Sequence, residues 1–162
     1  DARSISFWNF GSLALITREN LVGMSITAVV GGIITWRISA SLDRLSLGDT
    51  TAFHLGIDVP RLRVVALVAL SLLAGGAVST VGSIAFIGLA APHIARFIYG
   101  PAHRTLVIHT AIIGAFLVVV ADTLSRSIAQ PNELPIGLVT SLLGAPVLIA
   151  LVSVKNNVWK TQ

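Results

Sequence analysis

The sequence contains no cysteine, and only 11% of its 162 residues are charged. The first absence excludes disulfides and thiolate metal sites. The second excludes an ordinary soluble domain, in which about 25% of residues carry charge. Aromatic residues are sparse at 6%, and the basic residues are scattered at helix ends rather than gathered in a stripe. The pI near 10.7 is therefore not the footprint of a nucleic-acid partner. No G-x-x-x-x-G-K-[ST] string occurs, so the chain does not hydrolyse nucleotide by the P-loop route, and H-E-x-x-H and G-x-S-x-G are absent too. No catalytic residue and no metal site is expected: His54, His93, His103 and His109 lack a shared-face spacing and read as packed or interfacial side chains. No internal repeat, low-complexity segment or cleavable signal pattern is visible, and the start at Asp1 reads as the C-terminal part of a longer protein.

What the chain has is apolar length. Apolar residues make up 54% of it, and the mean hydropathy is +0.88. Runs 21–38, 64–81, 106–124 and 136–154 each read as a membrane span. Eighteen helical residues rise about 27 Å, enough to cross the hydrocarbon core. Residues 84–99 form a shorter helix that Pro92 should kink, because proline has no N–H to donate. Such a kink survives at membrane depth only when buried in protein. Gly31, Gly32, Ser25 and Ala28 in the first span, and Gly75, Gly76 and Ser79 in the second, predict close backbone approach between helices. Phe7, Trp8 and Phe10 form an N-terminal aromatic cluster that reads either as an interfacial belt or as a packed turn. The fold class is all-α, a polytopic membrane helical bundle of about four to five transmembrane helices in a single unit.

One polar stretch, 39–63, separates two apolar segments. Within it Asp49 is placed to cap a short helix, Gly56 to end it in a left-handed conformation, and Asp58 to cap the next helix with Pro60 in its first turn. A folded loop of this kind is more than a tether needs, and it is the expected grip for a water-soluble partner. Arg37, Arg44, Arg61, Arg63, Arg96, Arg104, Lys155 and Lys160 fall on the side of this loop, and Arg3, Arg18 and Arg126 on the other. That bias places the loop and the C-terminus in the cytoplasm. Asp122 and Arg126, acid first at i, i+4, read as a local helical ion pair, as a charge offered to an external acidic partner, or as both.

Three strings carry a resemblance: SLGDTTAFHLGIDVPRLR (46–63), GSIAFIGLAAPHIARFIYGPAHR (82–104) and ADTLSRSIAQPNELPIGLVTSLLGAPVLIALV (121–152). In order and spacing they resemble the permease subunits of bacterial ABC importers for ferric siderophores, haem and cobalamin, the FecCD type. Ala102, where the family commonly has an acidic residue, and Leu148, where an aromatic is common, are departures. The resemblance implies the C-terminal half of a ten-helix permease in the bacterial inner membrane. It implies that Leu45, Gly48, Asp49, Ala52, Leu55, Gly56 and Arg61 couple to an ATPase subunit, and that Arg126 docks an extracytoplasmic substrate-binding protein. It gives Pro92, Gly144 and Pro146 roles in helix kinking and packing. Implied partners are the ABC ATPase subunit, the binding protein, a second permease subunit and membrane lipid, with no nucleic acid. ATP and magnesium would be held by the ATPase, and no cofactor by this chain. Two other classes fit the sequence less well. An ion-coupled secondary transporter expects charged groups at mid-membrane depth and inverted repeats, and no charge lies mid-span. An intramembrane enzyme expects paired catalytic groups at equal depth, and the histidines lie at unlike depths.

Overall fold

The computed structural model describes residues 11, 13, 16–128, 136–142 and 144. Five helices are defined: α1 Arg18–Leu45, α2 Asp49–His54, α3 Val59–Val81, α4 Ile87–Tyr99 and α5 His103–Ile128. Residues 136–142 are also helical, and no strand occurs among the described residues. The N-terminal aromatic cluster, the 130–135 turn, Pro146 and most of the last expected span lie outside the described residues.

Three helices, α1, α3 and α5, are long and apolar enough to cross a membrane. Their outward faces carry exposed Ile26, Val29 and Ile33 on α1, Leu67 and Leu70 on α3, and Ile112, Phe116 and Val119 on α5. In water such continuous apolar surface would be a liability. In a bilayer it is the solvent-facing side, with the backbone bonded within each helix. Thr17 opens α1, its Oγ1 accepting from the Asn20 N–H at 3.4 Å. Glu19 lies in the first turn, where negative charge suits the helix dipole.

The polar loop is shorter than 39–63. Residues 39–45 belong to α1, because their polar groups are satisfied without breaking the helix. Ser39 Oγ donates to the Trp36 carbonyl at 2.6 Å, and Asp43 finds a partner across the bundle, described below. The later boundaries shift likewise: α3 begins at Val59, and α5 covers both ends beyond 106–124. The short helix starts at Ile87 rather than 84, since Phe86 takes a left-handed φ of 66° and serves as its cap residue.

Small residues set the approach of α1 to α3. A Cβ on Gly31 would lie 2.7 Å from Leu73 Cγ, and one on Gly76 would lie 2.8 Å from Thr27 Cβ. These pairings run in opposite directions along the chain, as antiparallel neighbours must. Gly32 and Gly75, with the same sequence signal, face no atom within 4 Å, and Ser25 and Ala28 are exposed. Helix α4 lays Ala90, Ala91 and Ala95 inward and turns back through Gly100, φ 87°, into α5. Tyr99 stacks on His109 at 3.6 Å between ring centroids, fastening that hairpin. Pro92 sits inside α4 and returns no N–H to the Gly88 carbonyl. Gly144 packs against the start of α4: a Cβ there would come within 2.7 Å of Phe86 Cγ. Phe86 and Gly144, with Ala90, Leu117, Ala121 and Thr140, border an apolar cavity of about 270 Å³.

Candidate partner interface

The α1–α3 connection and the α4–α5 turn lie at one end of the bundle; Gly11, the 82–84 segment and Arg126 lie at the other. At the first end, the chain leaves α1 through Ser46 and Leu47 and reverses at Gly48, whose φ of 107° is open to glycine alone without strain. Gly48 is also the cap residue of α2 and gives no side-chain acceptor, so the sequence expectation for Asp49 needs correcting. Asp49 is the first helical residue. Its carboxylate reaches out of the helix to Arg63 Nη2 at 2.7 and 2.9 Å, tying α2 to α3. Its charge still favours the helix N-terminus.

The other end of α2 follows its sequence signal. Gly56, φ 78°, lets the Ile57 N–H reach the Ala52 carbonyl at 3.0 Å while its own N–H reaches Phe53 at 2.9 Å. This is the glycine-terminated C-cap that satisfies two orphan carbonyls. Asp58 Oδ1 then accepts from the Arg61 N–H at 3.1 Å and caps α3, with Pro60 in the first turn.

The short helix therefore stands as a rigid knob. Ala52 is fully buried and seats it on the bundle, so its side chain is not offered to a partner. One step around the helix Phe53 is 71% exposed, with Leu47 at 65% and Leu55 at 51%. Leu45 is half-buried at the end of α1, and Gly48, Asp49, Gly56 and Arg61 are exposed. Arg61 borders a shallow hollow of about 230 Å³ with Ile38, Ser41, Gly56 and Asp58. Phe53 and Leu47 are exposed apolar side chains at this end that sequence reasoning missed. The signal that finds Phe53 is the one-residue step from Ala52 to a large apolar side chain on a six-residue helix; Leu47 lies in the turn before it.

A second polar cluster lies beside the knob. Asp43 Oδ1 receives the His103 backbone N–H at 2.9 Å and lies 2.7 Å from His103 Nδ1. Arg104 sits over the Trp36 ring, 4.5 Å from its centroid. At the far end of α5, Arg126 Nε meets Asp122 Oδ2 at 3.0 Å, and the arginine side chain stays 49% exposed. The local ion pair is thus formed, and the guanidinium still reaches solvent. No group of three metal-ligating side chains occurs among the described residues.

The fold and this end-on knob define a polytopic helical membrane protein with a folded loop between two spans. The chain belongs to the FecCD transport family, which matches residues 1–154. It is 47% identical over 115 residues to the iron(3+)-hydroxamate import system permease protein FhuG of Bacillus subtilis, covering 71% of this chain and 34% of that protein. It is 39% identical over 152 residues to the ferric enterobactin transport system permease protein FepD of Escherichia coli, covering 94% and 45%. The vitamin B12 import system permease protein BtuC of Vibrio cholerae is 38% identical over 149 residues, covering 91% and 44%. A solved structure of a metal-chelate type ABC transporter in an inward-facing conformation superposes with a TM-score of 0.83 at 33% identity, covering 93% of this chain and 49% of that one. The chain spans less than half the length of these relatives.

Proposed function

We propose that this chain is part of a permease that imports an iron chelate, haem or a cobalamin-like chelate, and that α2 is where an ABC ATPase subunit engages it. The observation that carries this reading is the knob itself. A fully buried Ala52 anchors a six-residue helix that holds Phe53 and Leu55 out of the bundle beyond the spans. Large apolar side chains on a rigid, capped loop gain free energy only when a partner covers them. The charge bias of the connecting segments supports a cytoplasmic position for the knob. The permease carries no catalytic step of its own in this reading; ATP and magnesium belong to the partner, and the knob converts its movement into rearrangement of the spans. ATP can favour one arrangement only through contacts that differ between the two. Arg126, half-exposed at the opposite end, is the proposed dock for an extracytoplasmic binding protein, and a second permease subunit completes the pathway.

The test is co-purification of an ABC ATPase with the intact membrane protein. Replacing Phe53 and Leu55 with aspartate removes two apolar anchors, each worth about 1.5–3 kcal/mol when buried, and should weaken association at least ten-fold per residue. Retention of the ATPase by the double variant would refute the assignment.

A further inference from the structure

We propose that Asp43 and Trp36 on α1, with His103 and Arg104 on α5, form a clamp that carries movement of the α2 knob into α5 and so to the opposite face of the membrane. The inference rests on the proposed seating of an ATPase on α2.

The knob touches α1 and α3, and α3 packs on α1. Helix α5 packs on α1 and α4. Helix α1 is therefore the element that the knob and α5 share. Its last turns present Trp36, Ser39 and Asp43 at i, i+3 and i+7, one stripe of a helix. Ser39, in the middle of that stripe, is 1% exposed. The two residues at either end of the stripe are the ones that hold the first two residues of α5.

The clamp also does a job that the local sequence leaves undone. Helix α5 begins after Ala102, whose carbonyl accepts the Leu106 N–H at 2.9 Å but whose side chain has no acceptor. A helix start leaves four N–H groups without intrahelical partners. Asp43, sixty residues earlier in the chain, supplies the missing acceptor to the first of them, and its carboxylate also engages the imidazole Nδ1. The cap of α5 is thus a tertiary contact with α1, three residues before the chain turns into the knob's own approach. A displaced α1 terminus takes the α5 terminus with it, and α5 is a single helix of 26 residues, about 39 Å long, that ends near Arg126.

The experiment separates capping from transmission. Ala102→Asp returns a local acceptor to the start of α5, and Asp43→Ala with Arg104→Ala opens the clamp, so the triple variant keeps α5 capped and packed on α1 but without the polar tie between their ends. The chain has no cysteine, so Thr50→Cys on the knob, away from the apolar anchors, and Ser127→Cys beside Arg126 each provide a single spin-label site on it. Both positions are exposed. In the intact permease–ATPase complex, ATP with vanadate should change the spectra of both labels. In the triple variant the change at 50 should persist and the change at 127 should be lost. A full response at 127 overturns the clamp while leaving the ATPase seat intact. A label at 50 that is silent in the otherwise unchanged protein overturns the seat on α2, and the clamp with it. If the triple variant does not assemble, Asp43→Ala with Ala102→Asp carries the same comparison: it removes the acceptor at 43 while the local cap remains, and an undiminished response at 127 again overturns the clamp.

Discussion

Gly31 and Gly32 are neighbours on one helix with the same sequence signal and opposite surroundings, which makes them a calibrated pair. A methyl group on Gly31 would sit 2.7 and 2.9 Å from Leu73 Cγ and Cδ2, and 3.3 Å from the Ala69 carbonyl oxygen. Ordinary carbon contacts lie at about 3.5–4.0 Å. Leu73 Cγ clears the methyl only by leaving its χ1 rotamer, and the Ala69 oxygen is backbone, so either Leu73 repacks or α3 gives way by a few tenths of an ångström. Overpacking of this kind costs about 1–3 kcal/mol. A methyl on Gly32 meets nothing within 4 Å. Both substitutions gain the same helix preference of alanine over glycine, about 0.5–1 kcal/mol, which cancels in the comparison. Gly31→Ala should therefore be less stable than Gly32→Ala by about 1–3 kcal/mol, roughly a 5- to 150-fold difference in the unfolding equilibrium. Titrating the intact protein in mild detergent with a denaturing detergent, followed by circular dichroism, reads the two midpoints. Equal midpoints, or a more stable Gly31→Ala, would refute the close α1–α3 crossing.

Asp58→Ala removes the α3 cap and should cost about 1 kcal/mol, visible as faster amide hydrogen exchange in the first turn of α3 with α1 unchanged; unchanged protection there would show the cap to be idle. Arg126→Glu breaks a half-exposed helical pair worth well under 1 kcal/mol, so the fold should be retained while docking of the external binding protein weakens; unchanged docking affinity would remove Arg126 from that role.

Much of the fold was legible because its signals are local. The spans are long apolar runs, and a backbone in lipid has no alternative to the helix. Gly56 and Asp58 announce a C-cap and an N-cap through their own backbone and side-chain chemistry, and both do that job. Asp49 shows where local reading stops: the same residue type in the same place left its cap for Arg63, fourteen positions away. The polar residues 39–45 misled for the same reason, since a helix tolerates them once Asp43 has a partner that only the folded bundle provides.

By itself, then, the order of residues determined that this is a helical membrane protein of the FecCD transport family with a folded loop between two spans. Apolar length, turn chemistry and motif spacing are properties of contiguous chain. The tertiary structure alone decided which glycines form the helix crossing, which face of α2 is sunk and which is offered, and that α5 is capped from α1. Those outcomes depend on what lies across a gap of a few ångströms, and distance in space is not written in distance along the chain.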